Sequence, residues 1–270
     1  MSERQTTLGL IGAGNMASAM VAGWVGADAT MAARVLVTDR GSGRARALAD
    51  AYGVRAVERN EDLVRESDVV VLCVKPVDVE RVLREVAHLV TTQKVIASVA
   101  AGVRTATLET ILDVDAPVFR FMPNVCVRVG AGTLAFSAGR FTNTAAEEAV
   151  LAPFGLLGEV VPLEERLFDA ATALSGSGPA FLGLIVEAFE DAGIVSGLTY
   201  ADARRLILST VSGTAQLMRG EDVAGSTLRR MVSSPGGTAA AGLYEMELRG
   251  LRGGIQSGVA AAMRRAGELG

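Results

Sequence analysis

Along the first 163 positions, short continuous apolar runs alternate with segments whose apolar residues recur every three or four positions. Leu8, Leu10 and Ile11 form one run, followed by residues 34–39 (RVLVTD), 68–74, 94–99 and 117–122. Runs of this kind predict strands buried on both faces of a sheet. Between them, Met16, Met20 and Trp24 recur at i, i+4 and i+8, and residues 44–51 and 79–90 also carry helical patterns. Residues 54–57 (VRAV) predict a short strand, and a third helix is expected to open near Asn60. The strand at 68–74 should stop at Lys75-Pro76 and the one at 117–122 at Pro123-Asn124, because proline cannot extend a ladder. Residues 133–136 and 159–162 add further extended segments. This alternation predicts an α/β fold, a doubly wound and mostly parallel sheet, over residues 1–163.

From Glu164 the pattern turns helical and stays so. A segment opening at Asp169 is punctuated by Ser175-Gly176-Ser177-Gly178-Pro179 and continues over residues 181–192. Thr199, with Asp202 three residues on, reads as the N-cap of a helix reaching about Met218. Two more segments are expected to flank Pro235-Gly236-Gly237 and Gly253-Gly254. Ala, Val and Leu occupy more than one face of these helices, more than a monomer would bury, so packing between subunits is the natural outlet. Residues 164–270 are therefore predicted to be an all-helical dimerisation domain.

Composition narrows the function classes. Half of the 270 residues are apolar and only 4% aromatic, so the core is expected to consist of Ala, Val and Leu. A net charge of −4 with no basic block makes nucleic acid and anionic membrane poor partners. MSERQTT lacks an apolar signal core, and no apolar run approaches the ~18 residues of a membrane span, so the expectation is a cytoplasmic protein. Cys73 and Cys126 give neither metal spacing nor a disulfide framework, and His88 falls in a helical pattern where a solvated side chain is expected. Metal catalysis and a Ser-His triad both lack their parts.

The candidate chemistry begins at Gly12-Ala13-Gly14, a G-x-G-x-x-A turn between a predicted strand and helix. Gly12 permits the tight turn, Gly14 lets a pyrophosphate approach the backbone, and Ala17 lets the helix pack close to the strand. The helix N-terminus then offers N–H groups to the phosphates. Asp39 ends the second predicted strand where a ribose-binding carboxylate of NAD is expected. Arg40, Ser42, Arg44 and Arg46 follow it directly and would suit the 2′-phosphate of NADP, so the two signals conflict; each is also readable as a solvated loop charge. Lys75 is either beside the cofactor, at the carboxyl end of a parallel strand, or a surface lysine in a turn. Ser175 and Ser177 either touch substrate or simply begin a helix. Gly236 and Gly237 either bind a ligand or separate two helices. Glu187 and Asp191, one helical turn apart, read as a solvated or subunit-facing edge.

Taken in order, GAGNMA near the start, VKP at 74–76, AAG at 100–102, MPN at 122–124, LSGSGPA at 174–180, DAG at 191–193 and SSPGG at 233–237 resemble pyrroline-5-carboxylate reductases over nearly the whole chain. The resemblance implies a Rossmann domain followed by a helical domain that interlocks two subunits, as a homodimer or a larger homo-oligomer. It implies reduction of the cyclic imine 1-pyrroline-5-carboxylate to proline, with NADPH, or alternatively NADH, as cofactor. It places Gly12, Ala13, Gly14, Asn15, Met16, Asn60, Val74, Lys75, Pro76 and Ala101 at the cofactor, beside Asp39 and Arg40. It places Ser233, Gly236, Gly237, Thr238 and Ala239 at the substrate carboxylate and ring nitrogen, with Ser175 a further candidate contact. No catalytic histidine is expected, because the nicotinamide carries the difficult chemistry.

The sequence departs from the family at Ala239, where a threonine is usual; Thr238 immediately precedes it. Either Thr238 serves as the catalytic hydroxyl, or the hydroxyl is dispensable, or the substrate is a related cyclic imine acid. Loss of one neutral hydrogen bond costs about 0.5–1.5 kcal/mol, which weakens such an enzyme without forbidding it. A non-catalytic dinucleotide-binding paralogue is the reading from a different class. Phe181, where tyrosine is common, and Met231, where a polar residue is common, point to a less polar pocket. Arg252 reads as packing or subunit contact.

Overall fold

The computed structural model describes residues 6–268 and contains an eight-stranded sheet followed by helices. The strands are β1 (Leu8–Ile11), β2 (Val35–Thr38), β3 (Arg55–Ala56) and β4 (Val69–Leu72), then β5 (Val95–Ser98), β6 (Val118–Pro123), β7 (Gly132–Ala138) and β8 (Gly158–Pro162). Their order is β3-β2-β1-β4-β5-β6-β7-β8, with every pair parallel except β6 and β7. The strand order reverses beside β1, the switch point at which open α/β sheets bind ligands.

Helices α1 (Asn15–Ala27), α2 (Arg44–Tyr52), α3 (Asn60–Glu66), α4 (Pro76–Val86), α5 (Thr105–Leu112) and α6 (Thr144–Gly155) cover both faces. Strand residues divide between them by alternation. Leu8, Leu10, Val69, Val71 and Phe119 pack with α1, α2 and α6; Ile11, Val70, Leu72, Ile96 and Val118 pack with α3, α4 and α5. The continuous apolar runs are thus buried on both faces, as a covered parallel sheet requires. The largest side chain of the first layer, Trp24, donates from Nε1 to Pro153 O at 2.7 Å and meets the Phe154 ring edge-on.

Further along lie α7 (Phe168–Ala171), a π-helical turn over Thr172–Gly176, α8 (Gly178–Val195), α9 (Tyr200–Gly220), α10 (Gly225–Val232), α11 (Thr238–Leu248) and α12 (Leu251–Gly267). The chain separates into two compact units. One runs to Ser177 and resumes at Ala262; the other is Gly178–Ala261. In the second, α8 and α9 are tied by Glu190 and Arg204, 2.9 Å apart. Thr199 caps α9, accepting from Asp202 N at 3.1 Å. Only Glu190 and Ala203 are buried within Gly178–Ala261, and Leu182, Leu184, Phe189, Leu206 and Leu208 stand exposed.

Several expected boundaries move. The strand expected over 68–74 pairs only through Leu72, and Pro76 opens α4 three residues before the expected start. Proline suits the first helical position, where its missing N–H has no partner to lose. Pro123 stays in the ladder as the last residue of β6, opposite Leu134, in a position that needs no N–H, because the neighbouring Asn124 N makes the bond, to Thr133 O at 3.1 Å. The extended segment at 133–136 lengthens to β7 because it pairs on both sides. Gly253-Gly254 does not separate helices. The break falls at Gly250, whose φ of 76° is a left-handed conformation glycine adopts freely, and the pair lies inside the first turns of α12. α5 and α6, which the pattern did not delimit, complete the two helical layers.

Candidate active site

The first strand turns into α1 through Gly12, whose φ is 108°. A β-carbon there would lie 2.8 Å from Cys73 O on β4's exit, so both the conformation and the space demand glycine. Gly14 is the N-cap of α1 and places no side chain on the helix end. The first helical bond runs from Ser18 N to Gly14 O at 2.9 Å, leaving the preceding N–H groups of Asn15, Met16 and Ala17 without helical acceptors. A β-carbon on Gly14 would meet nothing within 4 Å, so open space lies beside the donors. This is the geometry by which a helix start receives a phosphate.

A crevice of about 770 Å³ extends from this turn across the carboxyl ends of β1, β2 and β4. It brings together Gly12, Ala13, Gly14, Asp39, Arg40, Asn60, Val74 and Lys75. Asn15, Met16, Pro76 and Ala101 are not among its lining residues: the first two begin α1, Pro76 begins α4, and Ala101 follows β5 in a turn. Asn60 begins α3 and donates from Nδ2 to Glu85 Oε1 at 3.1 Å. Lys75 is exposed at the N-cap of α4. Cys73 also lines the crevice, and burial pushes its thiol up to about 12, so it is a packing residue rather than a thiolate.

The conflict between Asp39 and Arg40 resolves into two different environments. Asp39 Oδ1 accepts from Gly41 N at 2.8 Å and Ser42 N at 3.1 Å; Oδ2 accepts from Ser42 Oγ at 2.8 Å and Ala45 N at 2.9 Å. Burial works to raise its pKa, but these donors outweigh it and hold the carboxyl below its ordinary value. The carboxylate is therefore spent on shaping its own loop. Arg40, by contrast, reaches over the crevice to an exposed ion pair with Asp78, and Arg44 and Arg59 line the same mouth. The crevice end nearest β2 thus carries Arg40 and Arg59 in surface ion pairs with Asp78 and Glu61, Arg44 beside them, and a committed carboxylate.

The Ser233–Ala239 segment lies in the second unit. Gly237 is the N-cap of α11, again with no side-chain cap, and Ala241 N to Gly237 O at 3.1 Å is the first helical bond. Gly237 N donates back to Ser234 O at 3.0 Å, closing the turn. The N–H groups of Thr238, Ala239 and Ala240 thus lack helical acceptors. Ser233 Oγ is buried with no partner, and Thr238 is exposed at the first helical position. Ser175, in the first unit, lies in the π-helical turn and accepts from Asn124 Nδ2. Asn124, in the MPN motif, thereby ties the exit of β6 to this turn. His88 is exposed, and among the described residues no cluster of His, Cys, Asp and Glu could hold a metal. No helix among them is long and apolar enough to cross a membrane.

Comparison with known proteins agrees with both halves of this description. Residues 165–269 match the family model for pyrroline-5-carboxylate reductase dimerisation, and residues 7–102 match that for NADP oxidoreductase, coenzyme F420-dependent. The pyrroline-5-carboxylate reductase of Corynebacterium melassecola is 36% identical over 98% of this chain and 99% of its own. That of Glycine max is 36% identical over 97% of this chain and 96% of its own. Among solved structures, a pyrroline-5-carboxylate reductase from Coxiella burnetii superposes with a TM-score of 0.89 at 31% identity, covering 98% of this chain and 99% of that one. The Plasmodium falciparum pyrroline carboxylate reductase with NADP bound gives 0.87 at 27% identity, covering 98% of each chain. With its glycine turn, sheet order and helical C-terminal region all in place, the chain belongs to the pyrroline-5-carboxylate reductase family.

Proposed function

We infer that this chain reduces the C=N bond of 1-pyrroline-5-carboxylate to give proline, with NADPH as reductant, and works as a homodimer or a larger assembly of dimers. The reading rests on family membership that extends over both units at full length. Residues 1–163 serve the cofactor, and residues 164–270 serve the substrate and the assembly.

When bound, NADPH supplies the hydride, two electrons and a proton's mass, to the imine carbon. The chain's own residues bind, orient and shield. The N–H groups at the start of α1 hold the pyrophosphate. Arg40, with Arg44 nearby, holds the 2′-phosphate that Asp39, already saturated, would otherwise repel. Asn60, Val74, Lys75, Pro76 and Ala101 border the remaining length of the cofactor. The N–H groups at the start of α11 and the Ser233 hydroxyl hold the imine's carboxylate. Thr238 offers its hydroxyl at the ring nitrogen, which keeps its proton so that the electrophile is an iminium. Holding the reacting carbons at about 3–3.5 Å is then the main catalytic task.

Ala239 favours a second reading, reduction of a related six-membered cyclic imine acid. Successive helical residues diverge by about 100°, so Thr238 presents its hydroxyl on a different side from a threonine at 239.

The test follows oxidation of NADPH and of NADH by the purified protein with racemic pyrroline-5-carboxylate, and identifies proline as product. Turnover with proline formed supports the first reading; turnover only with the six-membered ring supports the second. Cofactor binding without turnover of either would leave a dinucleotide-binding paralogue. The loop assignment is tested by Gly237→Val, whose β-carbon would meet Ser234 Oγ at 2.5 Å and Ser234 O at 3.1 Å. It should raise KM for the imine at least about tenfold, the scale of one charge-assisted hydrogen bond, with cofactor Kd little changed. An unchanged KM removes the loop from the substrate site.

A further inference from the structure

The arginine that faces the cofactor crevice from the end of β2 already has a partner. Arg40, in the loop after β2, pairs with Asp78 Oδ2 in the first turn of α4, and both residues line the crevice. The arginine side chain is mostly exposed, the carboxylate largely shielded. Asp78 has a second partner as well: Arg81 Nη2, one turn along α4, lies 3.5 Å from Oδ1. Arg81 Nη1 in turn lies 3.9 Å from Glu85 Oε2, and Glu85 Oε1 accepts from Asn60 Nδ2 at 3.1 Å. A chain of alternating charges thus borders the crevice from the β2 loop, along α4, to the start of α3.

The charges balance. Acidic and basic side chains line the crevice in equal number, so it holds no surplus of positive charge for an extra phosphate. A phosphate monoester carries about −1.5 to −2 charge at neutral pH. To be neutralised there, it must take an arginine from a carboxylate.

Asp78 is the carboxylate that can yield one most readily. Arg81 stays beside it when Arg40 leaves, and the start of α4 favours its negative charge. The hydrogen bond from Arg40, with Arg81 behind it, holds the carboxyl below its ordinary value, so Asp78 is an anion at neutral pH. The bond it offers Arg40 is an exposed ion pair, weak enough to exchange. Asp39, next to Arg40 in the chain, makes no such offer, since its oxygens are taken by donors of its own loop.

We propose that Asp78 is a specificity-determining residue of the cofactor site, competing with the 2′-phosphate of NADPH for the guanidinium of Arg40 and so narrowing the preference for NADPH over NADH. The proposal rests on the reading of Arg40 as the 2′-phosphate contact. NADH brings no rival anion to that end of the crevice and leaves the pair with Asp78 in place. Asp78 therefore acts through Arg40.

Calorimetric titration with NADPH and with NADH, on the full-length protein, Asp78→Asn, Arg40→Ala and the double variant, tests this. Asparagine keeps the size of the side chain in the first turn of α4 and removes its charge. Asp78→Asn should tighten NADPH about three- to fivefold, the scale of one exposed ion pair, and leave NADH unchanged. The gain should vanish in the Arg40→Ala background, because residues acting through one contact do not add. It should also shrink as salt is raised. If Arg40→Ala weakens both cofactors equally, or neither, the 2′-phosphate reading of Arg40 fails and the proposal with it. If Arg40→Ala weakens NADPH alone while Asp78→Asn leaves NADPH unchanged or weaker, the proposal alone is overturned; weaker binding would make Asp78 a guide for Arg40 rather than a rival of the phosphate. A gain that persists without Arg40 would mean that the carboxylate repels the phosphate directly, and a gain shared by NADH would mean that it shapes the crevice. Either result overturns the competition.

Discussion

The two units bury their apolar residues in opposite ways. In the first, β1, β2, β4 and β5 are buried along their whole length, and both faces of the sheet are filled from within the same chain. In the second, α8 is apolar on nearly every side, yet Leu182, Leu184 and Phe189 remain exposed, and of the whole unit only Glu190 and Ala203 are buried. A helix apolar all round is a buried helix, so what covers α8 must come from outside its own unit. The first unit is a finished module, whereas the second does not bury its apolar helices with its own residues. A family model named for dimerisation matches this second region. The same amino-acid palette, Ala, Val and Leu, thus does two jobs according to whether its partner lies within the same unit.

The sharpest way to break this comparison is to put a charge where a second copy should pack. Leu184→Asp places a carboxylate at a position 67% exposed in the single chain, so the fold of one chain should tolerate it. In an isologous interface the substitution occurs twice, and burying unpaired charge costs several kcal/mol. The dissociation constant of the assembly should rise about a thousandfold, equivalent to ~4 kcal/mol, with thermal unfolding of the first unit nearly unchanged. Sedimentation velocity checks this. An unchanged sedimentation coefficient would mean that the exposed helices need no second copy.

A change to the finished module should behave in the reverse manner. Gly12→Val forces a β-branched residue to a φ of 108° and pushes its β-carbon against the Cys73 carbonyl, a backbone atom that cannot swing aside. Such strain costs about 1–3 kcal/mol before the clash is counted. Cofactor Kd should rise at least a hundredfold, about 2.7 kcal/mol, while the assembly stays intact. Calorimetric titration with NADPH and sedimentation of the same sample separate the two effects. Loss of assembly along with binding would show that the units are not independent.

The same contrast explains how much could be read from the sequence. A sheet covered on both faces writes itself as continuous apolar runs, and β1, β2, β4 and β5 fell where those runs lie. The glycine turn was legible because Gly12 and Gly14 sit between a run and a helical pattern. Boundaries governed by single bonds were not. Pro76 reads as a strand stop but serves as a helix start, and Gly253-Gly254 reads as a break although Gly250, with its left-handed φ, makes it. Nor could sequence distinguish Asp39 from Arg40, since the deciding fact is where the carboxylate's four acceptances go. Asn124 stood in a recognised motif, yet its link to Ser175 spans 51 positions and becomes visible only when the β6 exit meets the π-helical turn.

Arg40 offers the smallest effect and the finest test of the first unit's self-sufficiency. Its side chain is 63% exposed and pairs with Asp78, so it is held only by a surface ion pair, a contact that contributes little to stability. Arg40→Ala should leave unfolding and assembly untouched. Against a phosphate the same guanidinium makes charge-assisted bonds roughly twice as strong as neutral ones. NADPH Kd should therefore rise about tenfold, ~1.4 kcal/mol, with NADH Kd unchanged, and the difference should shrink as salt is raised, because an exposed charge is screened within about 10 Å at 0.1 M. Equal weakening of both cofactors would mean that Arg40 shapes the crevice rather than reading the 2′-phosphate. Asp39 would then become the residue to follow, its loop bonds giving way to the ribose when cofactor binds.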